Sequence, residues 1–311
     1  MNDVPLSTCR TSDVSDVDIS RVGLGCASAW GQNWFSESEA IAIVRRAIEL
    51  GVTVFDTGPS YSNGNAEPRL AKALRGVDVN RLLISTKVGT HIGINGKTYH
   101  DLTPKAVFES VDASRRKMNL DSIPLLYLHG PHKDELRSGL LDTLEGIRER
   151  GWVCKLGVNS FDTEVLKILA DIPLFDVVML DYNVLRSNRE PLIARLTKSG
   201  KRVVAGAAIA NHLYSPGFLL PRSRADVWYL LRAVKNYRGD LLRARKLRSA
   251  MEGYHQWTPA QIALAFVLHN EQITTAMFST TRLNHLEQNI AAENVDLPDM
   301  LIQQIGHCNG R

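Results

Sequence analysis

Short apolar runs alternate with longer stretches in which apolar residues return every three or four positions. The runs predict strands at residues 21–26, 52–56, 82–87, 125–129, 154–158, 177–180, 202–207 and 274–278, eight in all. Between them the period changes. Residues 36–50 place Ala40, Ile41, Val44, Ala47 and Ile48 on one stripe, and residues 133–150 do the same with Leu136, Leu140, Leu141, Leu144 and Ile147. Both predict amphipathic helices. Thr103-Pro104 and Thr258-Pro259 read as an N-cap followed by proline at the first helical position. Gly51, Gly151 and Gly200 each follow a helical pattern, as C-terminal stops do. Pro124 stands at the mouth of the fourth run, where a strand tolerates it.

Strands that alternate with helices imply a parallel sheet covered on both faces. Closing eight such units gives an α/β fold, a (β/α)8 TIM barrel of about 250 residues. The rest of the 311-residue chain fits a short N-terminal lead and one long insertion, residues 210–240, after the seventh strand. The expectation is one domain over residues 1–311. An open doubly wound sheet is the competing fold. It lacks a fingerprint, because Gly23-Leu24-Gly25 is followed by Cys26-Ala27-Ser28 and the third glycine of G-x-G-x-x-G is missing.

Composition narrows the function classes. At 44% apolar and 23% charged residues, the chain is neither disordered nor fibrous. A formal charge of +4 gives no reason to expect nucleic acid, and the basic stretch 238–248 reads as a solvated helix face. The cysteines at 9, 26, 154 and 308 form no C-x-x-C pair, and no His cluster lies at zinc-ligand spacing, so no metal is expected. Free thiols, a polar N-terminus without a signal-peptide core and the lack of an 18-residue apolar run point to a cytoplasmic protein with no membrane partner.

Barrel active sites collect at the C-terminal ends of the strands. There, the second strand ends in Asp56, with Tyr61 in the following loop; the third ends in Lys87 and the fourth in His129. Each alone has an ordinary structural explanation. Together they aim an acid, an amine, an imidazole and a phenol at one mouth. A phenol is a poor acid near neutrality, with a reference pKa of about 10. A neighbouring ammonium favours its phenolate, a carboxylate keeps that ammonium charged, and an imidazole can orient a carbonyl oxygen. Such a set suits carbonyl–alcohol interconversion, with the hydride supplied by a cofactor.

With these residues the sequence resembles the aldo-keto reductases over nearly its whole length. The match runs through Arg21-Val-Gly-Leu-Gly25, Phe55-Asp-Thr-Gly-Pro-Ser-Tyr61, Ser85-Thr-Lys-Val-Gly89, Asp121-Ser-Ile-Pro-Leu-Leu-Tyr-Leu-His129, Lys155-Leu-Gly-Val-Asn-Ser-Phe161 and Leu286-Glu-Gln-Asn289. The resemblance implies a barrel that binds NAD(P)(H) and acts on a small carbonyl or sugar substrate. By it Tyr61 is the general acid/base, Lys87 tunes it, Asp56 supports Lys87, and His129 orients the carbonyl. It also assigns the nicotinamide end to Asn159, Ser160 and Gly206. The adenosine end falls to Ser279, Thr280, Thr281, Arg282, His285, Gln288 and Asn289, with NADP(H) favoured over NAD(H).

Three places in the chain depart from the family pattern. Asn159-Ser160 stands where Ser-Asn is usual, Met179 where a glutamine is, and Gly206 where many members carry a tyrosine. The last feature is shared with sugar-dehydrogenase-like members, whose substrates are aldoses. On the substrate side Trp30 and Trp34 are the favoured contacts. Further aromatic residues (His91, Tyr99, His100, Tyr214, Trp228, Tyr229 and Tyr237) read as packing, and Arg222 and Arg224 as candidates for an anionic substrate. Two other functions stay open: a cofactor-binding scaffold or regulatory subunit, and a redox-neutral epimerase or eliminase that retains its nicotinamide.

Overall fold

The computed structural model describes residues 17–210, 213–214 and 224–308. In chain order the elements are β1 (Val22–Gly25), α1 (Glu37–Glu49), β2 (Val54–Asp56), α2 (Ala66–Ala73), β3 (Leu83–Val88), β4 (Thr90–Ile92), β5 (Thr98–His100), α3 (Pro104–Met118), β6 (Ile123–His129) and α4 (Ser138–Glu149). They continue with β7 (Val153–Asn159), α5 (Thr163–Leu169), β8 (Val177–Asp181), α6 (Glu190–Lys198), β9 (Arg202–Gly206), α7 (Arg224–Tyr237), α8 (Leu241–Met251), α9 (Pro259–His269), β10 (Ile273–Phe278), α10 (Leu283–Ile290) and α11 (Asp299–Cys308). All the strands except β4 and β5 close in parallel, in the order β1-β10-β9-β8-β7-β6-β3-β2. This is the expected (β/α)8 barrel.

Local chemistry accounts for the boundaries. Thr103 Oγ1 accepts from Ala106 N to start α3, and Thr258 and Gln261 form a capping box that starts α9. Gly51, Gly151 and Gly200 take positive φ after their helices, a conformation that costs glycine nothing. The pattern over residues 133–150 is interrupted. Lys133–Glu135 forms a 3-10 turn, Arg137 is extended, and the helix begins at Ser138. Leu136 is buried without being helical, so the stripe overstated the helix. The antiparallel pair β4–β5 was not expected, because its residues are mostly polar and half-buried or exposed, leaving no apolar run to read.

Strand parity decides which side chains enter the barrel. Val54, Leu83, Leu125, Tyr127, Val177, Met179, Val204 and Met277 belong to one inner cluster, while Phe55, Ile84, Leu126, Leu128, Leu156, Val158, Val178 and Val203 belong to the outer layer under the helices. Side chains two residues apart share a face. Asp56, Lys87, His129, Asn159, Asp181, Gly206 and Ser279 share inner parity and top their strands or follow directly. A one-residue slip would send every one of them to the helix layer.

Cys26 and Cys308 are free thiols, but Cys154 is disulfide-bonded, which corrects the free-thiol expectation there. Arg243, Arg245 and Lys246 are exposed on α8 while Ala244, Leu247 and Met251 are buried, so the described part of the basic stretch is a solvated helix face. No helix among the described residues is long and apolar enough to cross a membrane. Arg222 and the side chains of Tyr229 and Tyr237 lie outside the described residues.

Candidate active site

Lys87 is the hub of the catalytic half. It is 1% exposed, at the top of β3. Its Nζ donates to Asp56 Oδ2 at 2.5 Å and to the Thr57 carbonyl at 2.8 Å. Ser85 Oγ donates to the other Asp56 oxygen at 2.7 Å. A buried ammonium is unstable unless it is paired and hydrogen-bonded. Here burial pulls the amine's proton affinity down, but Asp56 and then Tyr61, through charge and side-chain hydrogen bonds, raise it above the ordinary lysine value. The amine therefore stays protonated at neutral pH.

Tyr61 and His129 complete the cluster. Lys87 Nζ lies 4.6 Å from the centroid of the Tyr61 ring, and the Tyr61 and His129 rings meet edge to face at 5.8 Å. Beneath them, Tyr127 is fully buried with its ring centroid 6.0 Å from Lys87 Nζ. Its phenol is pushed well above its usual range, first by burial and then by Asp56, so it stays neutral. Burial, reinforced by Asp56 and opposed by Lys87, likewise keeps the Cys26 thiol protonated. Tyr61 is thus the phenol in this cluster with access to the mouth.

The Tyr61 loop is fixed from several sides. The next three residues, Ser62, Asn63 and Gly64, all take left-handed φ, turning the chain sharply behind the tyrosine. Ser62 Oγ donates to the Ser28 carbonyl at 2.9 Å, and Asn65 Nδ2 to the Gly31 carbonyl at 2.8 Å. A Cβ at Gly31 would sit 2.4 Å from Ser62 Oγ, so the first and second loops touch only because that residue is glycine. Glu67, fully buried in α2, accepts from Thr86 Oγ1 at 2.7 Å and ties the helix to β3.

Strands β7 to β10 form the other half of the mouth. Asn159 Nδ2 approaches the Met179 carbonyl at 3.4 Å, and Ser160 Oγ accepts from Asp162 N at 3.2 Å. Two of the family departures, Met179 and Gly206, prove to be neighbours. A Cβ on Gly206 would meet Met179 Cγ at 3.2 Å and Sδ at 3.4 Å, so the thioether lies over the bare glycine. Ser279 Oγ donates to the Gly25 carbonyl at 2.7 Å, and Thr280 Oγ1 accepts from Arg282 N at 3.1 Å. Asn289 is buried, Thr281 and His285 half-buried, and Gln288 exposed. Burial and then Arg282 lower the proton affinity of His285, while Asp226 opposes them.

Sequence reading missed the partner of Arg282. Its Nη2 contacts both oxygens of Asp226, on α7, at 3.2 Å. The two residues are 56 positions apart, and no motif links them. It also missed the buried clamp at the end of β8, where Asp181 accepts from Arg186 Nη1 at 2.7 Å and Arg189 Nε at 3.1 Å. Arg189 reaches on to the Phe161 carbonyl, bracing the loop that carries Ser160. An acid of inner parity at a strand end was the available signal.

Trp30 requires a correction. It is fully buried, its indole donates to the Ala40 carbonyl at 3.0 Å, and Arg69 stands over its ring. It offers no surface to a ligand and holds the first loop in the core. Trp34 is 40% exposed and remains available. Tyr214 is buried with its hydroxyl on the Ile209 carbonyl, as packing requires.

The donor set suits a dinucleotide. Asn159 and Ser160 offer amide and hydroxyl groups at the inner mouth, Gly206 removes side-chain bulk beside them, and Arg282 offers an exposed guanidinium next to the hydroxyls of Thr280 and Thr281.

The model of the Aldo/keto reductase family matches residues 21–309. The chain is similar to the NADH-specific methylglyoxal reductase of Escherichia coli, at 23% identity over 96% of this chain and 95% of that one. It is also similar to the L-galactose dehydrogenase of Arabidopsis thaliana, at 25% identity over 88% and 84%. Among solved structures, the holo form of an aldo-keto reductase from Bacillus halodurans superimposes with a TM-score of 0.78 at 24% identity, covering 93% of this chain and 92% of that one.

Proposed function

The chain belongs to the aldo/keto reductase family, and on that premise we propose that it interconverts a sugar lactol with its lactone, or a simple carbonyl with its alcohol, using Tyr61 as proton donor and acceptor. Membership makes it an NAD(P)-dependent oxidoreductase. One observation carries the assignment of Tyr61: a buried ammonium, held by Asp56 and the Thr57 carbonyl, stands 4.6 Å from the centroid of its ring.

A bound nicotinamide dinucleotide supplies or takes the hydride. The protein manages the proton. In reduction Tyr61 gives its hydroxyl proton to the carbonyl oxygen as that oxygen gains charge, and the Lys87 ammonium stabilises the phenolate left behind. In oxidation the same phenolate takes the proton of the substrate hydroxyl. His129, edge-on to Tyr61, orients the substrate oxygen toward it. Asp56 acts through Lys87 and holds it charged.

Asn159 and Ser160 hold the nicotinamide end, and Ser279, Thr280, Thr281 and Arg282 the adenosine end, with His285, Gln288 and Asn289 beside them. NADP(H) is the proposed cofactor, because the guanidinium of Arg282 matches a 2′-phosphate. The aldose reading draws on Gly206, which leaves the mouth without an aromatic wall on that strand, and on the similarity to a galactose dehydrogenase. Tyr61→Phe tests the central assignment. It should remove turnover by about 10²–10⁴-fold while dinucleotide binding, followed by fluorescence, stays near wild type. Wild-type turnover in that variant contradicts the proposal. A panel of aldoses and aldehydes, run with both dinucleotides, tests substrate and cofactor.

A further inference from the structure

We propose that His100, His132 and Glu135 form a binding site for one divalent transition-metal ion of the zinc class, which pins the β4–β5 hairpin to the loop after β6. The three residues come from separate parts of the chain. His100 ends β5, and His132 and Glu135 bracket the 3-10 turn after β6. Each offers one ligand atom, and all three atoms lie within 4.8 Å of one another. His100 Nε2 is 2.9 Å from both Glu135 oxygens. The two imidazole rings stand 5.5 Å apart at 69°. The turn is already shaped for this: the His132 N–H donates to Glu135 Oε2 at 2.7 Å, and the Glu135 N–H donates to the His132 carbonyl at 3.0 Å.

The chemistry fits zinc. Two imidazoles and one carboxylate are a borderline donor set, which favours zinc, nickel or copper over magnesium. Zinc bound at 2.0–2.2 Å in tetrahedral geometry holds its ligands about 3.4 Å apart. Rotation of partly exposed side chains closes the present spacing to that value. On binding, the hydrogen that His100 Nε2 points at the carboxylate moves to Nδ1 or leaves, and the metal takes its place. Three protein ligands leave a fourth position for water.

The location gives the site a consequence. Asp101 N donates to the Gly89 carbonyl, so the hairpin is rooted directly after the strand that carries Lys87. His132 follows His129 by three residues. The ion therefore joins two loops over the same mouth without touching the reacting groups.

The test uses tag-free, full-length protein freed of metal by dialysis against a chelator, then titrated with zinc chloride by calorimetry. One ion per chain is expected. His100→Ala and His132→Ala should each weaken it about tenfold or more, and so should Glu135→Gln, which keeps the acceptor that closes the turn. His91→Ala, on the same hairpin outside the set, should leave it unchanged. Zinc should also slow hydrogen exchange over residues 90–100 in the wild type and not in His132→Ala, with circular dichroism showing that both fold. The proposal is overturned by the lack of saturable binding, by binding that all three ligand variants keep, or by exchange that zinc does not alter.

Discussion

Strands β2, β3 and β6 end in side chains that already hold one another, whereas on the other side, apart from the Asp181 clamp of β8, the polar residues at the ends of β7 and β10 are held by backbone or by a distant helix. In the first half Lys87 and Ser85 are buried and both bonded to Asp56, with Tyr61 and His129 edge to face at the rim. In the second half Ser279 bonds the Gly25 carbonyl, Thr280 bonds the backbone of Arg282, and Arg282 contacts Asp226. The first half is preorganised: its dipoles need no rearrangement when charge develops. The second half, the proposed dinucleotide face, has to exchange protein partners for ligand.

Breaking the first half should therefore cost most. Lys87→Met leaves Asp56 as a buried carboxylate without its cation, which costs about 3–5 kcal/mol in denaturant unfolding. Adding Asp56→Asn should restore part of the stability and none of the activity. The pH dependence has a defined sign. Because the folded state raises the proton affinity of Lys87, its contribution is fully present below the ordinary lysine value of 10.5 and is lost as pH rises through the raised one. Thermal melts across that range should show a strongly alkaline loss in the wild type that Lys87→Met lacks.

Two glycines sharpen the comparison at intermediate size. A Cβ on Gly157 would lie 2.7 Å from the Tyr127 ring and 2.8 Å from the Val177 carbonyl, neither of which yields easily. Gly157→Ala should cost about 1–3 kcal/mol. At Gly206 the tight contact of the same addition is with the flexible Met179 side chain, and the Leu180 carbonyl lies at an ordinary 3.5 Å, so Gly206→Ala should cost less than about 1 kcal/mol. Equal losses at the two sites would mean that the seam with the first half, where Gly157 of β7 meets Tyr127 of β6, is no more rigid than the interior of the second half at Gly206.

The smallest effects belong to the adenosine end. Exposed ion pairs contribute about 0.2–1 kcal/mol, so Asp226→Ala should tighten NADP(H) binding by no more than about fivefold and leave NAD(H) unchanged. His285, whose proton affinity is lowered, is neutral at pH 7 and adds no charge there. His285→Arg should strengthen NADP(H) binding modestly, and fluorescence titration measures both variants.

The same division explains what the sequence disclosed. Barrel strands are short, apolar and regularly spaced, and parity turns a strand boundary into a statement about which residue faces the mouth. Asp56, Lys87 and His129 were legible for that reason. The hairpin at β4–β5 was not, because exposed polar strands leave no hydrophobic period. Asp226 and the His100–His132–Glu135 cluster depend on contacts between separate loops, which local patterns do not encode. Trp30 was misread because an aromatic residue in a loop at the mouth has two destinations, and only the Ala40 carbonyl and Arg69 show that this one turns inward.

The most direct measurement is single-turnover kinetics with enzyme in excess over reduced dinucleotide, mixed with a carbonyl substrate found by the panel and followed by nicotinamide absorbance. Wild type should oxidise the dinucleotide in a rapid phase, and Tyr61→Phe should bind it equally well yet lose that phase by orders of magnitude. An undiminished rapid phase in the phenylalanine variant would show that the proton comes from another group and that the Lys87–Tyr61 contact is structural.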